Sequence, residues 1–137
     1  MLDSDVWHGQ HEEPHDGEPT PRCGVAHLIG YAHLDPVWLW GWQEGYAENR
    51  ATLWSAIERL EEYPEFVFTS TAVQFLAWAQ EADPELFAAI RTRVADGRLH
   101  LAGGWWMEPD CNIPSGESLV RHAVYGQRWL AEEFGVI

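Results

Sequence analysis

The sequence predicts an α/β fold in which parallel strands are joined by helical crossovers. Short apolar or β-branched segments alternate along the chain with longer segments whose apolar residues recur every three to four positions. This alternation is typical of a parallel sheet covered by helices. With 137 residues, 46% of them hydrophobic and 22% charged, the chain is long and apolar enough to bury a core.

The first half of the chain predicts two strands and two helices. Residues 25–29 form a short apolar run that ends at a glycine, which predicts a buried strand continuing toward residue 34. Residues 44–63 predict an amphipathic helix that stops before a proline. Residues 66–70 are aromatic and β-branched, which predicts a second strand with a helix directly after it. The apolar face of the first helix consists of Leu53, Ile57 and Leu60.

In the second half of the chain, capping residues predict where the helices begin and end. Asp83 followed by proline predicts the start of another helix, and Gly97 stands where that helix ends. A third strand is predicted over residues 98–106, and Ser115 is a typical N-cap for a final helix. These caps justify both helices independently of their apolar periodicity.

The chain divides into a leader and a folded part. Residues 1–22 are polar, acidic and interrupted by proline and glycine, so we expect a disordered leader that also contains three histidines. Residues 23–137 carry the strands and helices. Three strands leave open sheet edges, whereas a closed α/β barrel takes about 250 residues. We therefore expect residues 23–137 to be part of a larger catalytic domain.

Charge and cysteine content indicate which partners the protein has and which cell compartment it occupies. Eight basic residues against 22 acidic ones give a formal charge of −14, which would repel a phosphate backbone and argues against a nucleic-acid partner. No apolar run is long enough to span a membrane. Two cysteines and an amino terminus without signal-peptide features predict reduced thiols and a cytoplasmic location.

The sharpest group of chemically capable residues follows the first predicted strand. His33 and Asp35 are two positions apart, so their side chains point the same way and can converge on Zn²⁺ or a similar divalent ion. The alternative is a hydrogen-bonded histidine beside an aspartate that caps a turn. Their position at the carboxyl end of a parallel strand, where active sites of such sheets lie, favours function.

A second carboxylate group follows the third predicted strand. Asp110 reaches the same edge of the sheet and is predicted to be a third metal ligand, a nucleophile, or both. The alternative is an Asx turn, since aspartate, asparagine and proline are common turn residues. Glu108, two residues earlier, is a weaker candidate for the same site. Trp38 and Trp105 flank these segments and can either pack in the core or stack on the apolar face of a sugar.

Two long motifs resemble glycoside hydrolase family 38, the class II α-mannosidases. Residues 32–40 read Ala-His-Leu-Asp-Pro-Val-Trp-Leu-Trp, and residues 103–117 read Gly-Gly-Trp-Trp-Met-Glu-Pro-Asp-Cys-Asn-Ile-Pro-Ser-Gly-Glu. They occur in the order found in the amino-terminal segment of the catalytic domain of that family. The resemblance implies about the first three βα units of a seven-stranded β/α barrel.

The resemblance also implies a chemistry. It identifies a retaining, zinc-dependent α-mannosidase acting on mannose-containing oligosaccharides, with His33, Asp35 and Asp110 as zinc ligands and Asp110 also as the nucleophile. Trp38 matches an aromatic wall of the sugar site. In the family, the acid/base carboxylate and a further zinc-binding histidine come from later strands, so we expect this chain to be an inactive fragment of an enzyme whose oligomeric state is left open.

Two other functions are compatible with the same residues. A metal-dependent carbohydrate deacetylase also places His-x-Asp ligands at strand ends, and in that case a metal-bound water attacks while Asp110 acts as the base. A non-catalytic sugar-binding module would keep the aromatic side chains and the metal ligands. Hydrolysis of an α-mannoside separates the first function from both alternatives.

Overall fold

The computed structural model describes residues 26–135, which form three parallel strands and four helices. Strand β1 is Gly30–Tyr31, β2 is Phe68–Ala72 and β3 is Leu99–Trp105. The strands lie in the sheet in the order β1-β2-β3, and both neighbouring pairs are parallel. The α/β class with parallel strands and intervening helices is therefore confirmed.

Four helices connect or follow the strands. Helix α1, Trp42–Glu62, leads from β1 to β2. Helices α2, Val73–Ala82, and α3, Pro84–Ala95, lead from β2 to β3, and α4, Gly116–Phe134, follows β3. Because every strand runs in the same direction, the carboxyl ends of all three strands meet at one edge of the sheet.

Both predicted helix caps are present. The Asp83 carboxylate accepts a hydrogen bond from the backbone N–H of Leu86 in the first turn of α3, and the Ser115 hydroxyl accepts one from Ser118 in α4. Gly97 follows α3 with φ of 75°, the left-handed conformation that commonly ends a helix. Local signals therefore set three helix ends, the starts of α3 and α4 through capping side chains and the end of α3 through a glycine backbone.

The core lies between the sheet and the helices. Full burial of one large aliphatic side chain stabilises a fold by about 1.5–3 kcal/mol, so a shared apolar cluster holds the helices and the sheet together. The buried side chains that form it include Leu53, Ile57, Leu60, Phe68, Leu76, Leu86, Ile90, Leu99 and Leu130.

The prediction for the first strand is wrong in extent and in burial. Only two residues pair with β2, in the register Gly30 with Phe68 and Tyr31 with Thr69. Leu28 and Ile29, predicted to be buried, are 93% and 64% exposed. The reason is that β1 forms an outer edge of this sheet, so no neighbouring element within residues 26–135 covers the segment that precedes it.

Some predictions fall outside the described residues. The proposed leader over residues 1–22, its boundary at residue 23 and the place of Val25 at the start of the first strand all lie there. Across residues 26–135, no helix combines the length and the apolar character needed to cross a membrane.

Candidate active site

The carboxyl edge of the sheet brings together side chains that are far apart in sequence. His33 follows β1, and Glu108 follows β3, 75 residues later. His33 Nδ1 and Glu108 Oε2 are 2.6 Å apart, which is the distance of a short, charge-assisted hydrogen bond. The predicted convergence of the first and third strand ends is thus present, with Glu108 as the residue that makes the contact.

The Glu108 carboxylate also receives hydrogen bonds from the other two strands. The Tyr31 hydroxyl, on β1, donates to Glu108 Oε1 at 2.5 Å. The Thr71 hydroxyl, on β2, donates to the same oxygen. One carboxylate therefore joins the ends of all three strands, and its side chain is only 25% exposed.

Burial and hydrogen bonding have opposite effects on the Glu108 carboxyl. Burial raises its pKa, but the bonds from Thr71, Tyr31 and His33 favour the ionised form and hold the pKa below its ordinary value. The pKa of Tyr31 is raised, first by burial and then by its bond to Glu108. At neutral pH an ionised carboxylate therefore faces a protonated phenol.

His33 and Asp35 face each other at the carboxyl edge of the sheet. His33 Nε2 and Asp35 Oδ1 are 3.7 Å apart, and both side chains are about half exposed. Zinc lies about 2.0–2.2 Å from ligand nitrogen and oxygen atoms in a tetrahedral arrangement, so two of its ligand atoms are roughly 3.3–3.6 Å apart. An imidazole nitrogen facing a carboxylate oxygen at this separation fits zinc in both chemistry and distance.

Asp110 lies apart from this pair. Its carboxylate is exposed, and Oδ1 accepts a hydrogen bond of 2.8 Å from the backbone N–H of Asn112. This is the Asx turn that the sequence left open as the alternative. Among residues 26–135, no three histidine, cysteine or carboxylate side chains are grouped closely enough to hold a metal ion. The roles of Asp110 as ligand and nucleophile stay predictions.

Helix glycines hold the two loops of the site in place. A Cβ at Gly45 in α1 would lie 2.1 Å from the carbonyl oxygen of Pro36, and a Cβ at Gly126 in α4 would lie 2.3 Å from that of Gly104. Backbone therefore contacts backbone beside each loop. Near the second loop, His122 of α4 accepts a hydrogen bond at its backbone oxygen from Trp106 N–H and another at Nδ1 from Met107 N–H.

The tryptophans near the site differ in exposure. Trp38, in the loop after His33, is 67% exposed, whereas Trp105, at the end of β3, is half-buried. The neighbouring Trp40 donates its indole N–H to the backbone oxygen of Asp35 at 3.3 Å, which ties down the loop that carries the carboxylate. Of these two side chains, Trp38 therefore presents the larger free aromatic surface.

Sequence reasoning missed Tyr31 and Thr71. A signal for both was available, because the strand-end rule that selected His33 also applies to the end of the second strand, where Thr71 lies. Tyr31 is two residues before His33 on the same extended segment, so both side chains point toward the same side.

Comparison with known proteins places the chain in a family. Residues 24–137 match the model described as the glycosyl hydrolases family 38 N-terminal domain. The chain belongs to glycosyl hydrolase family 38. The match includes both loops of the candidate site, and it confirms the resemblance carried by the two motifs.

Several relatives in family 38 are α-mannosidases. Alpha-mannosidase G of Dictyostelium discoideum is 37% identical over 121 residues, 88% of this chain and 11% of that protein. Alpha-mannosidase 2C1 of Homo sapiens is 35% identical over 111 residues, 81% of this chain and 11% of that protein. The alpha-mannosidase of Saccharomyces cerevisiae is 35% identical over 113 residues, which are 79% of this chain and 10% of that protein. The chain spans about a tenth of the length of these family 38 relatives.

Proposed function

We propose that the chain supplies part of the active site of a retaining, zinc-dependent α-mannosidase that acts on mannose-containing oligosaccharides. Family 38 membership and the names of the relatives support the reaction class. The observation that carries the proposal is the pair of His33 and Asp35, which face each other across 3.7 Å at the carboxyl edge of a parallel sheet.

Zinc has defined ligands in this proposal. His33 and Asp35 would hold it, Asp110 would join them, and a further histidine would come from outside the chain. When bound, the ion would orient adjacent sugar hydroxyls and help distort the ring toward the oxocarbenium-like transition state. The exposure of both His33 and Asp35 is consistent with a site that the ion and the sugar reach from solvent.

The remaining steps belong to carboxylates and aromatic rings. An Asp110 oxygen forms a bond to the anomeric carbon while the bond to the leaving oxygen breaks, and that oxygen takes a proton from a carboxylic acid supplied by residues outside this chain. Water then cleaves the glycosyl ester, with the same acid group acting as the base. Trp38 and Trp105 bind the apolar face of the sugar.

Two properties of the protein accompany this function. Because the acid group lies outside residues 1–137 in this proposal, the chain alone has no mannosidase turnover. The enzyme acts in the cytoplasm, a proposal supported by the low cysteine content.

The proposal is tested on the complete enzyme with an aryl α-mannoside, with and without a zinc chelator. We expect chelator-sensitive hydrolysis and, by proton NMR of the first product, α-mannose before mutarotation. The matched aryl β-mannoside should not be cleaved. Release of acetate from an acetylated sugar without mannoside cleavage would contradict the proposal and favour a deacetylase. Binding of mannosides without turnover of either substrate would favour a sugar-binding module.

A further inference from the structure

The two oxygens of Glu108 have different partners. Oε1 accepts hydrogen bonds from Tyr31 and Thr71, and Oε2 contacts His33 Nδ1 at 2.6 Å. The first two bonds fix the carboxylate against β1 and β2, so it cannot turn freely. The remaining oxygen is therefore presented to the histidine in one direction.

This contact determines which nitrogen of His33 is free. The Tyr31 and Thr71 hydroxyls both donate to the Glu108 carboxylate, which therefore acts as an acceptor, and at 2.6 Å the Nδ1–H of His33 is the donor to its other oxygen. A neutral imidazole has one protonated nitrogen, which leaves the lone pair of His33 on Nε2. Nε2 is the atom that faces Asp35 Oδ1 across 3.7 Å.

We infer that Glu108 is a positioning residue for the metal site: it sets the tautomer and ring orientation of His33, and Tyr31 and Thr71 hold it in place for that task. The inference deepens the proposed function and rests on it for the identity of the ion. Histidine ligands of metals commonly donate their second ring N–H to a carboxylate, which orients the ring and makes the ligating nitrogen more basic. Glu108 is therefore neither the nucleophile nor a direct zinc ligand.

The test measures zinc affinity directly in the complete enzyme. Glu108→Gln keeps the size of the side chain but replaces the charged acceptor, and competition with a chromophoric chelator should show zinc binding weakened by about 10- to 100-fold. Glu58→Gln, an exposed glutamate on α1 whose side chain is 65% accessible, is the matched control and should bind zinc as the wild type does. Unchanged zinc affinity in Glu108→Gln would overturn the inference.

Coupling to His33 separates positioning from a general structural role. In a His33→Ala background, Glu108→Gln should weaken zinc binding no further, because the side chain through which it acts is gone. An equal further loss would show that Glu108 acts by another route. Excess zinc should restore kcat of Glu108→Gln, whereas failure to recover at full zinc occupancy would assign Glu108 to the reaction itself.

A second variant covers the case in which Glu108→Gln does not fold. Tyr31→Phe removes one donor to the carboxylate and keeps the ring, so zinc binding should weaken by a smaller factor than in Glu108→Gln, and unchanged binding would count against the inference.

Different results would contradict the inference about Glu108 and the proposed function. A wild type that binds zinc through this site but cleaves no mannoside would contradict the mannosidase proposal alone, whereas a wild type that binds no zinc would overturn both.

Discussion

Asp110 and His33 have different roles in the proposed chemistry, and single substitutions in the complete enzyme distinguish them. Asp110→Asn keeps the shape and one oxygen of the side chain but removes the anionic oxygen that bonds to the sugar, so kcat should fall by orders of magnitude. His33→Ala should act through lost zinc, and excess zinc should recover part of its activity. Steady-state kinetics at rising zinc concentration measure both effects.

The exposed histidine on β3 provides the control for that pair. His100→Ala removes an imidazole near the opposite end of the strand and should leave activity and zinc affinity unchanged. If excess zinc restores Asp110→Asn and His33→Ala equally, Asp110 is a ligand only and the nucleophile is another residue.

The sequence predicted part of the candidate site, and side-chain geometry explains the rest. The alternation of a strand was enough to pair His33 with Asp35, because residues two apart on an extended chain point the same way. It could not show which carboxylate contacts His33. That contact depends on how the side chains of a non-repetitive loop turn, and here Asp110 turns to the N–H of Asn112 while Glu108 turns to His33.

Helix α4 positions the loop after β3 through a direct backbone contact. A methyl group at Gly126 would lie 2.3 Å from the oxygen of Gly104 and 2.7 Å from the nitrogen of Trp106. Gly126→Ala should therefore push the helix away from the strand end, cost about 1–3 kcal/mol of stability and lower kcat. Calorimetry and kinetics on the complete enzyme test both expectations.

The same helix contains a matched glycine. Gly116 begins α4, and a Cβ there would have no atom within 4 Å. Gly116→Ala should leave the transition temperature and kcat unchanged, or raise the stability slightly because the unfolded chain loses freedom. Equal effects of the two substitutions would mean that the close approach at Gly126 does not position the loop.

Asp83 joins helix α3 to helix α1. Its carboxylate accepts hydrogen bonds from Leu86 N–H at 3.1 Å, Arg50 Nε at 2.6 Å and Trp54 Nε1 at 3.2 Å. Asp83→Ala should lower the free energy of unfolding by about 0.5–2 kcal/mol through the lost cap alone. Asp83→Asn retains a capping oxygen and should lose less, which urea denaturation at neutral pH measures.

Acid should remove the contribution of the Asp83 charge. Burial raises the pKa of this carboxyl, but the hydrogen bonds from Leu86, Trp54 and Arg50 together lower it by more than burial raises it. The folded-state pKa is therefore below the unfolded value. The stabilisation is therefore complete above the unfolded pKa of about 3.9 and is lost as the pH falls through the folded value. The difference in stability between wild type and Asp83→Asn should shrink over that acidic range, and a constant difference would contradict the assignment.

Elements with their own local signals were predicted well, and the element that depends on neighbours was not. The cap residues Asp83 and Ser115 start their helices as expected, because an N-cap is satisfied within one turn. The second strand begins two residues later than predicted, at Phe68. Strand β1 pairs over two residues only, since the burial of an apolar run depends on what lies beside it in the sheet.

At the scale of the whole molecule, the isolated 137-residue chain should be marginally stable and inactive. Large apolar side chains are exposed before β1, in the loop after β1 and in the loop after β3, among them Leu28 at 93%, Leu39 at 90% and Ile113 at 81%. Exposed apolar surface of this kind favours association. We expect a broad thermal transition, strong binding of a hydrophobic dye and no turnover of an aryl α-mannoside.

Two results would contradict that expectation. A monomer with a sharp, cooperative transition and no dye binding would show that residues 1–137 are stable without further elements. Chelator-sensitive turnover by the same preparation would show that the acid/base group lies within this chain, and a variant of each remaining carboxylate after β2 and β3 would then locate it.

Arg98 stabilises the end of the sheet opposite the candidate site. Its guanidinium donates to the backbone oxygens of Tyr63 and Phe66 at 2.5 and 3.0 Å, and so joins the start of β3 to the turn between α1 and β2. These two hydrogen bonds and the groups proposed for chemistry thus lie at opposite ends of the same sheet. Laboratory evolution can therefore target the residues around Arg98 for heat resistance and, separately, the loops after His33 and Trp105 for substrate preference.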